Sequence, residues 1–549
     1  MSQPNIPLTD NEHKIYDELN QENIDFLMTR YNRVNRWVIA DMIRRTCYHF
    51  SDKTALVFQD KALTYSALED ECNQVANALA DAGVKKYDRV AILAHNTHHH
   101  VLTWLGTAKI GGVYLAVNYL LRGKDIAYCI NHSESKVFIV EDTLYDQVKD
   151  VLAEMPSVKT LIWSNQGAGQ AAADGFVDFN AWYSTYPATE PDAVLRIEDP
   201  AQMTYTSGTE SLPKGVIISN QALIAQYMGC IIDGGYESTD VNINALPIYH
   251  CAQRDVFMNP IFWLGGTNIL MGPDLAAVLK NIQEYKATMF FAPPTVWIGL
   301  LRHPDFDKCD LSSLKKCYYG ASIMPVEILK ELIDRLPGVK IYNYYGQTEL
   351  APYHTILKAE DAMRKLGSAG MGGIHMETRI EDENGDAIVD LNVPGEICGR
   401  GPHAMTLYFK EPEKTEAAMA GGWFHSGDLG VLDEDKYITV VDRKKDMIKT
   451  GGENVASREV EEAIYQDVRV EEVAVIGVNH PKWIEAVIAV VVPKTGKTIT
   501  EEEIIAHCRR ELATFKVPKK VIIRDALPKT PTGKVLKRDM RKSYRAIFD

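Results

Sequence analysis

The sequence predicts an α/β protein with a large N-terminal domain and a smaller C-terminal domain. Up to about residue 440, short β-rich runs alternate with longer amphipathic stretches, as at Arg89–Leu93, Lys136–Val140 and Lys159–Trp163. Strands that alternate with helices are typical of βαβ units arranged around a mostly parallel sheet. A fresh pattern of strands and helices begins near residue 442 and continues to Asp549. The parallel sheet is therefore expected in the first part of the chain.

The stretch from about residue 368 to 441 has a different character. Its strands are short, glycines are frequent, and the turn pairs Asn384-Gly385 and Pro394-Gly395 interrupt it. This pattern favours a small β-barrel. The charged cluster Asp442–Asp446 follows directly. We therefore predict a domain boundary at this point, with a large domain at residues 1–441 and a small domain at 442–549.

Composition excludes several classes of protein. The 549 residues are 46% hydrophobic and 24% charged, which is close to the average for globular domains and argues against disorder or a coiled coil. The net charge is −15 and the isoelectric point is near 5.5. Duplex-DNA binders usually carry a net basic face, so no nucleic-acid partner is expected. Any phosphate chemistry must come from a local site.

The cysteine pattern and the hydropathy of the sequence predict the cellular compartment of the protein. Nine cysteines are scattered without a CxxC pair, which favours a reducing compartment over a disulfide framework. The N-terminus has no basic segment followed by an apolar run, so no signal peptide is expected. The longest apolar run, Ala486–Pro493, is too short to span a bilayer and predicts a buried strand. We expect a cytoplasmic protein without a transmembrane segment.

The segment Met203–Val216 carries the strongest local signal, with the sequence MTYTSGTESLPKGV. Glycine lets the backbone approach an anion closely, while hydroxyls and backbone amides donate to phosphate oxygens. The spacing differs from GxxxxGK[ST], so this is not a Walker A loop. A polar surface turn is the alternative interpretation.

Four further segments suggest a nucleotide site. An aromatic ring can stack on a nucleotide base. A threonine can bind phosphate, and a carboxylate can bind Mg²⁺. An aspartate can accept hydrogen bonds from ribose hydroxyls. Such residue types occur in the segments Tyr342–Glu349, Gly422–Asp428 and Asp442–Val455. A fourth segment, Pro528–Lys534, places a lysine on a turn that contains proline and glycine. Each could be an ordinary turn by itself, but together with Met203–Val216 they make coincidence implausible.

These motifs occur in one order over more than 300 residues, and the chain resembles the adenylate-forming superfamily from about Asp52 to its end. This superfamily includes acyl-CoA synthetases, firefly luciferase and the adenylation domains of peptide synthetases. Within it, the chain looks most like bacterial fatty-acid and other carboxylate–CoA ligases. The resemblance implies a large domain of two αβα-type sheet layers plus a small β-barrel, and a mobile α+β C-terminal domain.

The resemblance assigns the first group of site residues to the phosphates of ATP. The loop from Thr206 to Lys214, with Ser207, Gly208 and Thr209, is expected to cover the β- and γ-phosphates. The usual family loop reads SGTTGxPKG, whereas Glu210-Ser211 stand here in place of Thr-Gly. A carboxylate near a triphosphate is electrostatically unfavourable unless it points away or binds Mg²⁺.

A second group is assigned to the base, the α-phosphate and the metal. Residues implied to bind adenine are Gly320, Ala321, Ser322, Tyr345 and Gly346, with the Tyr345 ring stacking on the base. Thr348 is expected to contact the α-phosphate and Glu349 to hold Mg²⁺.

The remaining assignments concern ribose, the acyl carboxylate and domain movement. Asp428 and Arg443 are expected to hold the ribose, and His250 to lie beside the acyl carboxylate. Lys534 is expected to reach the carboxylate and the α-phosphate. A swing of the small domain about the hinge residue Lys445 would exchange Lys534 for the face around Gly451-Gly452.

Two polar features have competing interpretations. His98, His99 and His100 are adjacent, and neighbouring residues on a helix point in different directions, which disfavours a metal site. Arg254 lies four residues after His250. A salt-bridged structural arginine is the favoured interpretation, and contact with a polar group of the substrate is the alternative.

The function implied by the resemblance is AMP-forming acid–thiol ligation that uses ATP, Mg²⁺ and CoA. A carboxylic acid would become acyl-AMP with release of pyrophosphate and would then pass to CoA. We expect a medium- or long-chain fatty acid. The alternatives are an aryl or other acid, a carrier-protein acceptor, or a silent homologue that binds nucleotide as a regulator. The silent homologue is disfavoured because the chain keeps four of the site residues that the resemblance implies, namely Lys534, Glu349, Asp428 and Arg443. A homodimer is expected only by analogy.

Overall fold

The structure is a computed structural model that describes residue 15 and residues 20–167, 171–206, 212–322, 324–444, 446–450, 453–530 and 535–548. The strands in these ranges are, in chain order, β1 Thr54–Phe58, β2 Lys61–Thr64, β3 Arg89–Leu93, β4 Val113–Ala116, β5 Val137–Glu141, β6 Thr160–Ser164, β7 Phe176–Asp178, β8 Pro200–Thr206, β9 Lys214–Ser219, β10 Val241–Asn244, β11 Thr267–Leu270, β12 Met289–Phe291, β13 Lys316–Gly320, β14 Lys340–Tyr345, β15 Thr355–Leu357, β16 Met371–Gly372, β17 Glu377–Glu381, β18 Gly395–Arg400, β19 Leu407–Tyr408, β20 Phe424–Leu432, β21 Ile438–Arg443, β22 Ile448–Thr450, β23 Glu453–Val455, β24 Val470–His480, β25 Ile484–Pro493 and β26 Lys520–Ile523.

The α-helices in the same ranges are α1 Gln21–Arg30, α2 Asn32–Asn35, α3 Met42–Phe50, α4 Tyr65–Asp81, α5 His98–Lys109, α6 Lys124–Ser133, α7 Phe179–Tyr183, α8 Asn220–Gly234, α9 Asn259–Leu264, α10 Leu275–Glu284, α11 Pro294–Arg302, α12 Val326–Arg335, α13 Pro412–Ala418, α14 Ser457–Tyr465, α15 Glu501–Glu511 and α16 Lys537–Ser543. A π-helix spans Ala252–Met258, and short 3₁₀ helices span Ile39–Asp41, Asp142–Gln147, Lys149–Glu154, Thr348–Leu350 and Ala420–Gly422. No helix in the described ranges combines the length and apolar character needed to cross a bilayer.

Two large sheets form the first part of the chain. One has eight strands in the order β19-β9-β8-β4-β3-β5-β6-β7, and the other has nine in the order β16-β15-β14-β13-β12-β10-β11-β1-β2. Pairs at the centre of each sheet, such as β3–β4 and β13–β14, are parallel, whereas antiparallel strands occur towards the edges. The largest hydrophobic cluster contains residues of both sheets and of α4 and α5. The mostly parallel α/β architecture predicted from the sequence is confirmed.

Local sequence explains where several helices begin. Side chains of Thr64, Thr97 and Ser219 each accept a hydrogen bond from a backbone amide in the first turn of α4, α5 and α8, respectively. Such N-caps satisfy amides that have no partner inside the helix. At α15, Thr500 and Glu503 form a reciprocal capping box.

A small antiparallel sheet stands where the sequence predicts a small β-barrel. Its four strands are in the order β17-β18-β20-β21. Strand β21 runs through residue 441, at which the sequence pattern changes. The division of the chain at 441 and 442 therefore stays a prediction.

The C-terminal sheet has both faces covered. Its order is β23-β22-β25-β24, with β26 paired to β25. Along β25, Val487, Ala489 and Val491 belong to a cluster with α14 and α15, while Ile488 and Val490 pack with residues around α16. Because side chains alternate between the faces of a strand, burial on both faces requires a continuous apolar run. The buried strand predicted at 486–493 is thus confirmed.

The three adjacent histidines do not converge. His99 Nδ1 lies 2.8 Å from Ser164 Oγ, while His100 Nδ1 is hydrogen-bonded to the Tyr114 hydroxyl. The His98 ring packs near Phe58, with 5.6 Å between ring centroids. Burial lowers the pKa of each of these imidazoles. Their separate partners agree with the interpretation that they are structural.

Arg254 is a buried structural cation in the π-helix. Its guanidinium lies 2.8 Å from Asp255 Oδ2 and donates to Gln202 Oε1 at 2.7 Å. Both charged side chains are at most 1% exposed. The salt-bridged interpretation of Arg254 agrees with this geometry.

Arg254→Met should lower the free energy of unfolding by about 3–5 kcal/mol, because it leaves a buried carboxylate at Asp255 without its cation. Urea denaturation followed by fluorescence checks this, since Trp104 lies 5.7 Å from the guanidinium. The control is Lys286→Met, which breaks an exposed ion pair with Asp310 and should leave the denaturation midpoint unchanged. An equal midpoint for Arg254→Met and the wild type would contradict the assignment.

Candidate active site

The predicted adenine residues follow the ends of two neighbouring parallel strands. Gly320 ends β13 and pairs with Tyr344 of β14, and Gly346 follows β14. A Cβ on Gly320 would lie 2.4 Å from the Tyr344 carbonyl oxygen, and a Cβ on Gly346 would lie 1.8 Å from that of Pro352. Both positions therefore require glycine. Ligands of open α/β sheets bind at the carboxyl ends of strands, where these glycines lie.

Ala321 and Ser322 form the turn that follows β13. Ala321 has a φ of 63°, a left-handed conformation that costs energy for a residue with a side chain. Ser322 is exposed. The turn brings Ala321 to the cleft that contains His250, so the predicted adenine and acyl regions share one wall.

Asp428 lies at the centre of a polar cluster between the nine-stranded sheet and the small sheet. The Tyr345 hydroxyl and Gln347 Nε2 each donate to Asp428 Oδ2 at 2.8 Å. Arg443 is paired with Asp428 across β20 and β21, and its Nε lies 3.5 Å from Oδ1. Asp428 is 7% exposed. A buried carboxylate needs such donors, because desolvation of an unpaired charge is costly.

The same contacts fix the orientation of Tyr345. Burial and the adjacent Asp428 carboxylate raise the pKa of its hydroxyl well above the usual range, so the hydroxyl stays protonated and donates. Its ring centroid lies 5.8 Å from that of His354. The structure thus brings Tyr345, Asp428 and Arg443 together, as the sequence-based assignments require.

Glu349 and Lys214 meet around a tyrosine. The Tyr408 hydroxyl donates to Glu349 Oε1 at 2.8 Å, and Lys214 Nζ lies 3.8 Å from the Tyr408 ring centroid. Strand β19 positions Tyr408 by pairing it with Val216 of β9. Burial lowers the pKa of Lys214, although the Glu349 charge opposes this shift.

Thr206 and Lys214 face each other at the base of the predicted phosphate loop, as Cα partners of β8 and β9. The Thr206 hydroxyl is buried and has no hydrogen-bond partner in the described part of the chain. A hydroxyl and an ammonium group on paired positions of two strands are donors that suit phosphate oxygens. The Glu349 carboxylate offers the oxygen ligand that Mg²⁺ prefers. The residues present therefore fit a magnesium–triphosphate group.

His250 and Thr348 are linked through Cys251. Thr348 Oγ1 lies 3.4 Å from Cys251 Sγ, and the Ala252 amide donates to His250 Nδ1 at 3.1 Å. Because Nδ1 accepts this bond, it carries no proton in this arrangement. Burial raises the pKa of Cys251 to about 12, so this thiol is not a nucleophile at neutral pH.

A narrow, mainly apolar cleft adjoins His250. Its lining residues are Leu246, Pro247, His250, Ala252, Gln253, Phe291, Pro293 and Ala321. Gln253 Nε2 donates to Asn244 Oδ1 at 2.7 Å, while Gln253 Oε1 is buried without a partner among the described residues. The cleft thus combines apolar walls with the side chains of His250 and Gln253.

Seven of the predicted site residues lie outside the described residues, and their roles stay predictions. They are Ser207, Gly208, Thr209, Lys445, Gly451, Gly452 and Lys534. The unusual pair Glu210-Ser211 lies outside them as well.

Comparison with known proteins identifies the family. The family model described as AMP-binding enzyme matches residues 43–409, and the model of the AMP-binding enzyme C-terminal domain matches residues 459–534. The chain belongs to the AMP-binding enzyme family. It is an ATP-dependent acyl-CoA ligase, and such enzymes use ATP, Mg²⁺ and CoA.

The relatives of this ligase are named after different carboxylic acids. It is 33% identical over 492 residues to a feruloyl-CoA synthase of Amycolatopsis sp, covering 89% of this chain and 96% of the relative. It is 32% identical over 533 residues to a long-chain-fatty-acid–CoA ligase of Bacillus subtilis (strain 168), covering 92% and 94%, respectively. The solved anthranilate CoA ligase AuaEII in complex with anthranoyl-AMP has a TM-score of 0.87 at 25% identity, covering 93% of this chain and 98% of that one.

Three residues of the candidate site were not predicted from the sequence. Gln347 lies inside the motif Tyr342–Glu349, and this position between Tyr345 and Thr348 is the signal that the sequence offers. Tyr408 and Gln253 carried no comparable signal, because their contacts depend on strand pairing and on the π-helix.

Gln347→Ala should raise the Kd for ATP about tenfold, or about 1.4 kcal/mol, because Asp428 loses one of its donors. Isothermal titration calorimetry with ATP measures this. Gln283→Ala is the control, since Gln283 is exposed and accepts only from the Asp310 amide in the described contacts. Equal ATP affinity for Gln347→Ala and the wild type would contradict the role given to this cluster.

Proposed function

We propose that this ligase activates an apolar carboxylic acid in the cleft beside His250, with a medium- or long-chain fatty acid as the first candidate. The observation that carries the proposal is the lining of the cleft, in which six of the eight residues are apolar. The cleft encloses only about 10 Å³, so an acyl chain has to move lining side chains aside to enter it. Apolar walls hold an acyl chain by removing its surface from water. His250 and Gln253 are the two polar residues of this lining.

We assign the charged ends of the reactants to the cluster of Thr206, Lys214 and Glu349. A carboxylate oxygen of the acid attacks the α-phosphorus of ATP, the bond to the bridging oxygen breaks, and pyrophosphate leaves. This step brings two anions together, so the Lys214 ammonium lowers its cost by attracting the phosphate oxygens. Mg²⁺, when bound through Glu349, supplies further positive charge at the phosphates.

Asp428 and its neighbours would orient the nucleoside during this step. The aspartate can accept from ribose hydroxyls while Tyr345 and Gln347 hold it in place. His250, with Nδ1 occupied by the Ala252 amide, would direct Nε2–H towards the acyl carboxylate. Such fixed donors align the acid with the α-phosphate.

In the second half-reaction, the CoA sulfur attacks the acyl carbonyl carbon, AMP leaves with the electron pair of the broken bond, and the thiol proton is released.

The predicted swing of the small domain about Lys445 would exchange Lys534 for the face around Gly451-Gly452 between the two steps. These assignments, together with the cytoplasmic location and the homodimer, stay predictions.

The acid specificity is tested by mass spectrometry of products formed from ATP, Mg²⁺, CoA and a panel of acids. The panel runs from acetate through hexanoate, decanoate and palmitate to benzoate and cinnamate. We expect acyl-CoA from decanoate or palmitate with kcat/KM at least tenfold above that for acetate, a gain of about 1.4 kcal/mol from apolar contact. A preference for acetate would contradict the apolar cleft. Acyl-AMP without acyl-CoA would contradict CoA as the acceptor.

A second candidate is an acid that carries a hydrogen-bond donor, such as a hydroxyaryl acid. The unpaired Oε1 of Gln253 favours it, because a substrate hydroxyl would satisfy this buried acceptor. An analogue without the hydroxyl would leave the oxygen unpaired and would be rejected.

The second candidate predicts that the wild type prefers 4-hydroxybenzoate over benzoate by at least tenfold in kcat/KM, and that Gln253→Leu abolishes this preference. Gln226→Leu is the matched control, because Gln226 is also buried with an unpaired Oε1 but is not among the residues that line the cleft. An unchanged ratio in Gln253→Leu would exclude this role of Gln253 and leave the fatty acid as the candidate.

A further inference from the structure

A cluster of metal-ligating side chains lies on one face of the small antiparallel sheet. Cys398 of β18 is directly opposite His425 of β20, and Glu381 of β17 is directly opposite Glu396 of β18. Because side chains two residues apart on a strand share a face, Glu396 and Cys398 point the same way. Three strands thus bring a thiol, an imidazole and two carboxylates to one place.

The spacing of these groups fits a tetrahedral metal ion. Cys398 Sγ lies 3.5 Å from His425 Nδ1, and Glu396 Oε2 lies 3.6 Å from the same nitrogen. A carboxylate oxygen of Glu381, the thiol and an imidazole nitrogen all lie within 4.8 Å of one another. Glu381 Oε2 lies 4.0 Å from Nε2 of His425, the ring nitrogen away from Cys398 and Glu396, so the Glu381 side chain must move to share an ion with them. Zinc–sulfur and zinc–nitrogen bonds of the usual lengths place the two ligand atoms about 3.6 Å apart at a tetrahedral angle.

The two carboxylates of the cluster are paired with cationic side chains, with which a metal ion would compete. Like charges directly opposite each other in a sheet are destabilising, and Glu381 and Glu396 occupy such positions. Arg379 forms an ion pair with Glu381, and Lys444 Nζ lies 3.3 Å from Glu396 Oε2. The lysine is 56% exposed, so an ion that enters the cluster can displace it at little cost.

The cluster is accessible from the side of the imidazole. Cys398 is fully buried, but the His425 side chain is 23% exposed and that of Glu396 is 14% exposed. An ion can therefore reach His425 and Glu396 first and then the thiol. The combination of sulfur, nitrogen and oxygen ligands favours a borderline-soft cation over Mg²⁺, which prefers oxygen alone.

We propose that Cys398, His425, Glu396 and Glu381 form a binding site for a divalent transition-metal ion, Zn²⁺ above all. This site is separate from the magnesium role given to Glu349, which uses a different carboxylate on a different element. Glu396 Oε1 accepts a hydrogen bond from the Gly427 amide at 2.9 Å, next to Asp428. A bound ion would thus hold the strand that presents the predicted ribose aspartate.

Co²⁺ serves as the spectroscopic probe. The full-length protein, stripped with a chelator and kept in excess Mg²⁺, should bind one equivalent of Co²⁺ with a thiolate-to-cobalt charge-transfer band. Zn²⁺ should then displace the Co²⁺ and abolish this band. Absence of the band in the wild type would overturn the proposal.

Substitutions of the proposed side chains test which of them bind the metal ion. Cys398→Ser and His425→Ala should each weaken Zn²⁺ binding at least tenfold in calorimetry, and Cys398→Ser should remove the charge-transfer band. Cys309→Ser is the matched control, because Cys309 is a free, half-buried cysteine outside the cluster, and it should retain both signals. If Cys398→Ser fails to fold, the partly exposed His425 provides the decisive variant. Zn²⁺ affinity of His425→Ala equal to that of the wild type would overturn the proposal.

Discussion

The site depends on the way in which one buried carboxylate is held. Asp428 belongs to the small sheet, whereas its donors Tyr345 and Gln347 lie at the end of β14 in the nine-stranded sheet. A buried aspartate without donors would be strongly unfavourable, so these bonds fix the small sheet against the end of the large one. The predicted base residue Tyr345 and the predicted ribose residue Asp428 become neighbours through this junction.

The junction in turn requires close backbone contact. Gly320 and Gly346 leave no room for a Cβ between neighbouring backbone segments, and the antiparallel pairing of β20 and β21 places Arg443 opposite Asp428. On the phosphate side, β19 joins the eight-stranded sheet and brings Tyr408 to Glu349 and Lys214. Both ends of the predicted nucleotide site therefore use side chains from elements far apart in sequence.

Much of this arrangement could be predicted from sequence, and the limits have physical causes. Alternation of strands and helices predicted the α/β fold. The motifs suggested Tyr345 and Asp428, and the family resemblance added Arg443; the structure brings these three residues together. Tyr408 could not be predicted, because its role depends on a two-residue strand that pairs across nearly 200 positions of sequence. Gln253 depends on a π-helix, whose wider turn has no recognisable periodicity in the sequence.

The central claim is that the segments around Tyr345 and Asp428 together bind the nucleotide. Hydrogen–deuterium exchange of the full-length protein with and without ATP and Mg²⁺ tests it most directly. The account predicts slower exchange of backbone amides in both segments, at residues 343–349 and 424–429, when the nucleotide is present. Protection confined to other parts of the chain, with both segments unchanged, would contradict it.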